Sequence, residues 1–185
     1  YVCSFGGGVW HGPAEPGPAD GAKAPEATDP ETSFFGVADR ADQVCFVVDR
    51  SGSMLSTFDE VRVELLRAIG RLTPEQQFHV IYFADGAPRE SPPHRLSPAT
   101  KEHKLQAKEH LREIRPQGRT DPIPALERAF GRLKGATDGG KGGLIYLLTD
   151  GEFPDGRAVL KWLRRHNPKG DRRIRINTLL HYGDG

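Results

Sequence analysis

Four runs rich in apolar residues alternate along the chain with segments whose apolar residues recur every three or four positions. Continuous apolar runs are typical of strands buried on both faces of a sheet, and the intervening spacing is that of amphipathic helices. The predicted strands are residues 43–48, 77–84, 144–149 and 173–180, and the predicted helices are residues 57–72, 99–114, 122–133 and 156–166. Because strands alternate with helices, we predict a Rossmann-like α/β fold: a three-layer sandwich with a central, mainly parallel sheet and helices on both faces.

The chain divides by composition into two parts. Residues 1–33 are dominated by Gly, Pro, Ala and acidic residues, and such a stretch buries too little apolar surface to offset its ordering entropy. We therefore expect a disordered linker over residues 1–33 and a folded domain over residues 34–185. The chain begins with Tyr1 rather than Met, which suggests a segment of a longer protein.

Charge and composition argue against a nucleic-acid partner, a membrane span and a disulfide framework. The formal net charge is +1 with both signs interspersed, so there is no broad basic field for nucleic acid. No run approaches the roughly 20 apolar residues of a membrane span. The two cysteines, Cys3 and Cys45, do not make a disulfide framework, and Cys45 is expected to be a small buried apolar side chain.

Polar side chains follow two of the predicted strands directly. The segment VCFVVDRSGSM, residues 44–54, has Asp49, Ser51 and Ser53 at every second position after a strand. Asp150 directly follows the strand 144–149. Thr120 lies in a Gly-Arg-Thr-Asp loop before a helix. Ligands of open α/β sheets bind at the carboxyl ends of the strands, so these three loops can supply oxygens to one point.

These five residues, in this order and on these elements, resemble the metal-ion-dependent adhesion site (MIDAS) of von Willebrand factor A (VWA) domains. The resemblance covers residues 34 to 185 and implies Mg²⁺, with Mn²⁺ or Ca²⁺ as alternatives. It implies Ser51, Ser53 and Thr120 as direct ligands, and Asp49 and Asp150 as ligands either directly or through water. A carboxylate of a partner protein then completes the coordination shell. The function expected from the family is cation-dependent protein binding, in adhesion or as a scaffold, without catalysis.

The chemistry of the motif agrees with this expectation independently of the family. Mg²⁺ takes oxygen ligands in an octahedron and keeps several waters, because it dehydrates reluctantly. Neutral hydroxyls with two carboxylates leave the ion attractive to a further carboxylate, whereas a site made wholly of carboxylates would not.

Two departures from the family pattern matter for what we expect. Arg119 precedes Thr120 where the family often has Gly, which places a cation at the rim and favours acidic partners. The chain stops at Gly185, where the family normally continues with a further helix, so the domain is either C-terminally truncated or minimal. The compact loops resemble bacterial members, many of which belong to membrane-anchored or extracytoplasmic proteins.

Other interpretations of the same residues stay open at this point. Asp49, Ser51 and Ser53 could close a turn and cap the next helix, and Thr120 could be an N-cap. A metal-assisted hydrolase or phosphotransferase could use the same Mg²⁺ as a Lewis acid, but it needs a general base or nucleophile that no motif supplies. The Gly-rich segment 138–143 lacks the spacing of a phosphate-binding loop and is expected to be a connector.

Overall fold

The fold is described by a computed structural model for residues 2–5, 31–134, 142–151, 153–168 and 174–181. These residues contain nine strands, four α-helices and one short 3-10 helix. The strands are β1 Val2–Phe5, β2 Glu31–Phe34, β3 Val37–Arg40, β4 Gln43–Asp49, β5 Gln77–Phe83, β6 Arg89–Glu90, β7 Ser97–Pro98, β8 Gly143–Thr149 and β9 Ile174–Leu180. The helices are α1 Phe58–Arg71, α2 Lys101–Glu113, α3 Ile123–Lys134 and α4 Gly156–His166, with the 3-10 helix at Gly52–Ser56.

The main sheet has the strand order β1-β9-β8-β4-β5-β6, with β7 also paired to β5. The four central strands, β9, β8, β4 and β5, run parallel to one another. Strands β1, β6 and β7 pair antiparallel to their neighbours at the two ends. The prediction of a mainly parallel sheet in a Rossmann-like α/β fold is therefore confirmed.

Two apolar layers hold helices against opposite faces of this sheet. On β4, Val44, Phe46 and Val48 face the layer that contains α1 and α2, because side chains alternate along a strand. Cys45 and Val47 face the layer that contains α3 and packs against α4. Every residue of β4 is buried, which explains why its sequence is apolar without alternation.

The four predicted strands and four predicted helices agree closely in their bounds with β4, β5, β8, β9 and α1 to α4, whereas the short strands β1, β2, β3, β6 and β7 and a 3-10 helix were not predicted. The predicted helix over residues 57–72 is α1, Phe58–Arg71, but a 3-10 helix at Gly52–Ser56 precedes it. This short helix buries Met54 and follows directly from the strand that ends at Asp49. The 3-10 helix carries Ser53.

The expectation of a disordered linker over residues 1–33 needs correction at both ends. Val2–Phe5 forms β1, which pairs with β9 through its backbone and so needs no apolar alternation of its own. Glu31–Phe34 forms β2, whose Phe34 is 1% exposed and packs edge-on against Phe46. Residues 6–30, and most of the segment 138–143, lie outside the described residues, so those expectations remain predictions.

The β2–β3 hairpin is fixed to the sheet by one tyrosine. The hydroxyl of Tyr146 on β8 is within hydrogen-bond distance of the carbonyl oxygens of Thr32 (3.1 Å) and Val37 (3.0 Å). The hairpin thereby covers the face that carries Phe46 and Tyr146.

Across the described ranges, the helices all fall short of the length and apolar character needed to cross a bilayer.

Candidate metal centre

The candidate site lies at the carboxyl ends of β4 and its two neighbours. From β4 the chain passes through α1 to β5 on one side, and later returns to β8 on the other side. The strand order therefore reverses between β4 and β8, and ligands of open α/β sheets bind at such a switch point. Asp49 ends β4 and Asp150 directly follows β8, so the two acidic residues flank this crevice.

The Asp49 carboxylate is fully buried and held by two donors. Its Oδ1 accepts a hydrogen bond of 2.8 Å from the backbone N–H of Ser51, and its Oδ2 accepts one of 2.8 Å from the Thr149 hydroxyl. Burial raises the pKa of Asp49 despite these hydrogen bonds, and the charge of Asp150 acts in the same direction. A desolvated carboxylate beside a second acid is a favourable place for a cation.

The hydroxyls of Ser51 and Ser53 lie within hydrogen-bond distance of each other, in the segment that follows Asp49. Their Oγ atoms lie 3.0 Å apart, Ser51 is 1% exposed and Ser53 opens to solvent. Adjacent ligands of an octahedral Mg²⁺ with bonds of about 2.05 Å are about 2.9 Å apart. The spacing of the two hydroxyls therefore suits one edge of such an octahedron.

The loop that contains Thr120 is fastened to both neighbouring strand ends through its backbone. The Gln117 N–H donates to the Arg50 carbonyl (2.8 Å), and the Gly52 N–H donates to the Gly118 carbonyl (3.0 Å). On the other side, the Asp121 N–H donates to the Ala84 carbonyl (3.2 Å). These bonds carry residues 117–121 onto the loop that bears the two serines.

Gly118 has a conformation that other residues rarely adopt. Its φ is +80°, and a Cβ at this position would lie 2.2 Å from Oδ1 of Asp85. Thr120, two residues later, is 9% exposed and makes no side-chain hydrogen bond to Ser51 or Ser53 among the described residues. Asp121 accepts at Oδ1 a hydrogen bond from the N–H of Ile123 (3.1 Å), the first residue of α3.

Asp150 is 9% exposed at the end of β8, next to a sharp turn. Gly151 has φ +84°, and its N–H donates to the Thr149 hydroxyl oxygen (3.1 Å). The turn thus fixes Thr149, which in turn fixes Asp49.

Thr149 is one of two residues at this site that the sequence analysis did not single out. Its hydroxyl donates to Asp49 and accepts from Gly151, so it connects the ends of β4 and β8. The available signal was a hydroxyl residue immediately before an acid at the end of an otherwise apolar strand. Arg50 was also missed: its backbone N–H donates to the Phe83 carbonyl (2.8 Å) and ties the end of β4 to β5.

The chemistry of these donors suits a hard cation. Within the described ranges, no group of three or more His, Cys, Asp or Glu side chains could hold a metal ion. Sites for zinc and other soft metals are built from such groups, usually with Cys or His. Hydroxyls and carboxylates are instead the oxygen donors that Mg²⁺ and Ca²⁺ take.

The chain matches the family model described as "von Willebrand factor type A domain" over residues 44–152. Because this match spans more than half of the chain, the protein belongs to the von Willebrand factor type A family. Domains of this family are typically protein-interaction modules, and they commonly bind a divalent metal ion.

Relatives and solved structures agree with this assignment. The chain is 35% identical over 115 residues to inter-alpha-trypsin inhibitor heavy chain H4 of Bos taurus, covering 59% of this chain and 12% of that relative. The human H4 chain is 31% identical over 123 residues, covering 63% of this chain and 13% of the relative. The chain thus spans only about an eighth of the length of these relatives.

Two solved structures share the fold at low sequence identity. The von Willebrand factor type A structure from Catenulispora acidiphila has a TM-score of 0.59 at 22% identity, covering 74% of this chain and 32% of that one. The manganese-loaded TRAP protein of Plasmodium vivax has a TM-score of 0.60 at 20% identity, covering 75% of this chain and 57% of that one. At these identities the likeness concerns the fold alone.

Proposed function

We propose that this domain is a divalent-cation-dependent protein-binding module, used in adhesion or as a scaffold, that binds an acidic side chain of a partner. The ion, Mg²⁺ first of all, would be held by Ser51, Ser53 and Thr120, with Asp49 and Asp150 coordinating it directly or through water. The observation that carries the proposal is the pair of serine hydroxyls 3.0 Å apart beside the buried Asp49 carboxylate. When bound, the ion would supply an open coordination position for a carboxylate.

The charge balance of the site favours an anionic ligand. Two carboxylates balance a divalent ion, while the three hydroxyls are neutral donors, so a further carboxylate can still be attracted. Arg119, which is exposed next to Thr120, adds a cation at the rim. Mg²⁺ suits the compact donor set better than Ca²⁺, which takes six to eight oxygens, and Mn²⁺ is the alternative of similar ligand preference.

The chain's own residues hold the site in shape before the partner arrives. Thr149 and the Ser51 N–H fix both oxygens of Asp49, and backbone hydrogen bonds fix the loop that carries Thr120. A preorganised site loses little conformational entropy on binding, which favours affinity for the ion and for the partner.

The alternative, metal-assisted hydrolysis or phosphoryl transfer, has less support. Such a reaction needs a general base within reach of the nucleophile. Among the described residues no histidine is hydrogen-bonded to a hydroxyl of the site. His79 is 2.9 Å from Glu90, and His166 is 2.9 Å from the Trp162 carbonyl.

A displayed library of random 12-residue peptides tests the proposed function. The library is selected against the domain in Mg²⁺, and each selected peptide is measured again in EDTA and against Ser53→Ala. We expect selected peptides to contain Asp or Glu, and to lose at least about tenfold in affinity in EDTA and with Ser53→Ala. Peptides without an acidic residue, or binding that survives both changes, would contradict the proposal. Mg²⁺-dependent release of product from p-nitrophenyl phosphate or p-nitrophenyl acetate would favour the hydrolase instead.

A further inference from the structure

A groove of about 390 Å³ lies between α1 and α2, on the α1–α2 side of the sheet. It is lined by residues from the last turns of α1 and from one face of α2. They are Leu66, Ile69, Gly70, Lys101, Lys104, Leu105 and Lys108. None of them belongs to the candidate metal centre, which lies at the carboxyl edge of the sheet.

The three lysines of the groove have two different roles. Lys104 donates from Nζ to the Gly70 carbonyl (2.9 Å) and to the Leu72 carbonyl (2.6 Å), so it binds α2 to the C-terminal end of α1. Lys101 and Lys108 are exposed, and no carboxylate among the described residues pairs with them. They lie two helical turns apart, which is about 10 Å, with Lys104 between them.

The floor and wall of the groove are apolar and open. Leu105 is 53% exposed although it lies between the lysines, and Leu66 is only partly buried. At Gly70 an added Cβ would meet nothing within 4 Å, so the groove floor has free space there. Leu105 and Leu66 therefore form a small apolar surface between the exposed lysines Lys101 and Lys108.

We propose that this groove docks an acidic segment of a partner protein, with a bulky apolar side chain on Leu105 and Leu66 and carboxylates at Lys101 and Lys108. Charge complementarity carries the choice of occupant, because two exposed cations, Lys101 and Lys108, bracket the apolar floor. The surface requires no metal ion, so it is independent of the proposed function and would provide a second contact to a protein.

A second basic surface shows why charge alone does not define this site. On α4, Lys161 and Arg164 are exposed on one face, and α4 carries no acidic residue. On that helix Val159 is buried, and Trp162 lies edge-on to Phe130 of α3. It therefore provides a matched control with the same charge and a different surface.

The test uses the same displayed 12-residue library, selected against the domain in EDTA so that the metal centre does not contribute. Each selected peptide is then measured against Lys101→Glu/Lys108→Glu and against Gly70→Leu. A Cβ at position 70 meets nothing within 4 Å, and Leu is a better helix former than Gly, so Gly70→Leu should remain folded while its side chain occupies part of the groove. We expect peptides with acidic residues around an aliphatic or aromatic residue, and a loss of about tenfold or more with either variant.

Two controls separate the groove from nonspecific effects. Gly131→Leu makes the same change at another exposed helical glycine with free space, and Lys161→Glu/Arg164→Glu makes the same change of charge on α4. Both should bind selected peptides as the parent does. The proposal is overturned if the α4 variant weakens binding equally, if Gly70→Leu has no effect, or if no peptide is enriched. Binding to vesicles of anionic lipid that only the charge reversal abolishes would also overturn it, in favour of a lipid surface.

Discussion

Replacing Thr149 with Val tests whether the two strand ends are coupled through the Asp49 carboxylate. The change keeps the shape of the side chain and removes a hydroxyl that lies 2.8 Å from Asp49 Oδ2 and is fully buried. A hydrogen bond to a charged group contributes about 1.5–3 kcal/mol. For a domain of this size, that loss corresponds to a fall in Tm of about 3–12 °C.

The assay is thermal and urea unfolding of the parent and the variant at pH 7 in EDTA, followed by Mg²⁺ titration of both. We expect Thr149→Val to bind Mg²⁺ about 10- to 100-fold more weakly, because Asp49 loses the donor that orients it. Thr149→Ser should recover most of both losses, and Thr178→Val, at a half-buried position of β9, should cost little. A free energy of unfolding of Thr149→Val within about 0.5 kcal/mol of the parent's would refute the proposed coupling through Asp49.

Three further changes probe other parts of the structure. Burial lowers the pKa of His79 despite its hydrogen bond to Glu90, so below about pH 6.5 the unfolded chain binds a proton that the folded protein does not. The free energy of unfolding should therefore fall as the pH drops below about 6.5. Urea unfolding of His79→Gln should show a weaker fall over the same pH range. Gly118→Ala should cost about 1–2 kcal/mol for its left-handed backbone and also weaken Mg²⁺ binding, whereas Gly86→Ala, with the same φ of +80° and open space, should leave Mg²⁺ binding unchanged. Tyr146→Phe should destabilise the β2–β3 hairpin by about 1 kcal/mol, seen as faster hydrogen exchange of its amides.

The central strands and the helices could be predicted from the sequence because each of them has a distinctive local pattern of apolar residues. Strands such as β4 and β8 are buried along their whole length, and the pattern of such strands cannot be mistaken for a surface segment. Five short strands, β1, β2, β3, β6 and β7, were not predicted, and β1 and β2 show the physical reason. Strand β1 is held to β9 by backbone hydrogen bonds, which leave no mark on side-chain type, and β2 has only four residues.

In the candidate site, too, the features set by local sequence could be predicted, and those set by backbone contacts or distant partners could not. Asp49, Ser51 and Ser53 are close in sequence, so their spacing alone predicts that they share a loop. The approach of the loop containing Thr120 depends on backbone bonds such as that from Gly52 to Gly118, which no side chain reveals. The role of Thr149 depends on a partner 100 positions away in the chain. Whether the five residues bind an ion together remains a prediction.

The most direct test of the central proposal is a calorimetric titration of Mg²⁺ into the metal-stripped domain, beside Ser53→Ala, Thr120→Ala and Ser56→Ala. Ser56 is a matched control, because it is an exposed serine of the same 3-10 helix as Ser53. We predict saturable binding to the parent and to Ser56→Ala, and a loss of at least about tenfold in Ser53→Ala and Thr120→Ala. No binding to the folded parent, or equal binding by all four proteins, would contradict a metal centre at this edge of the sheet.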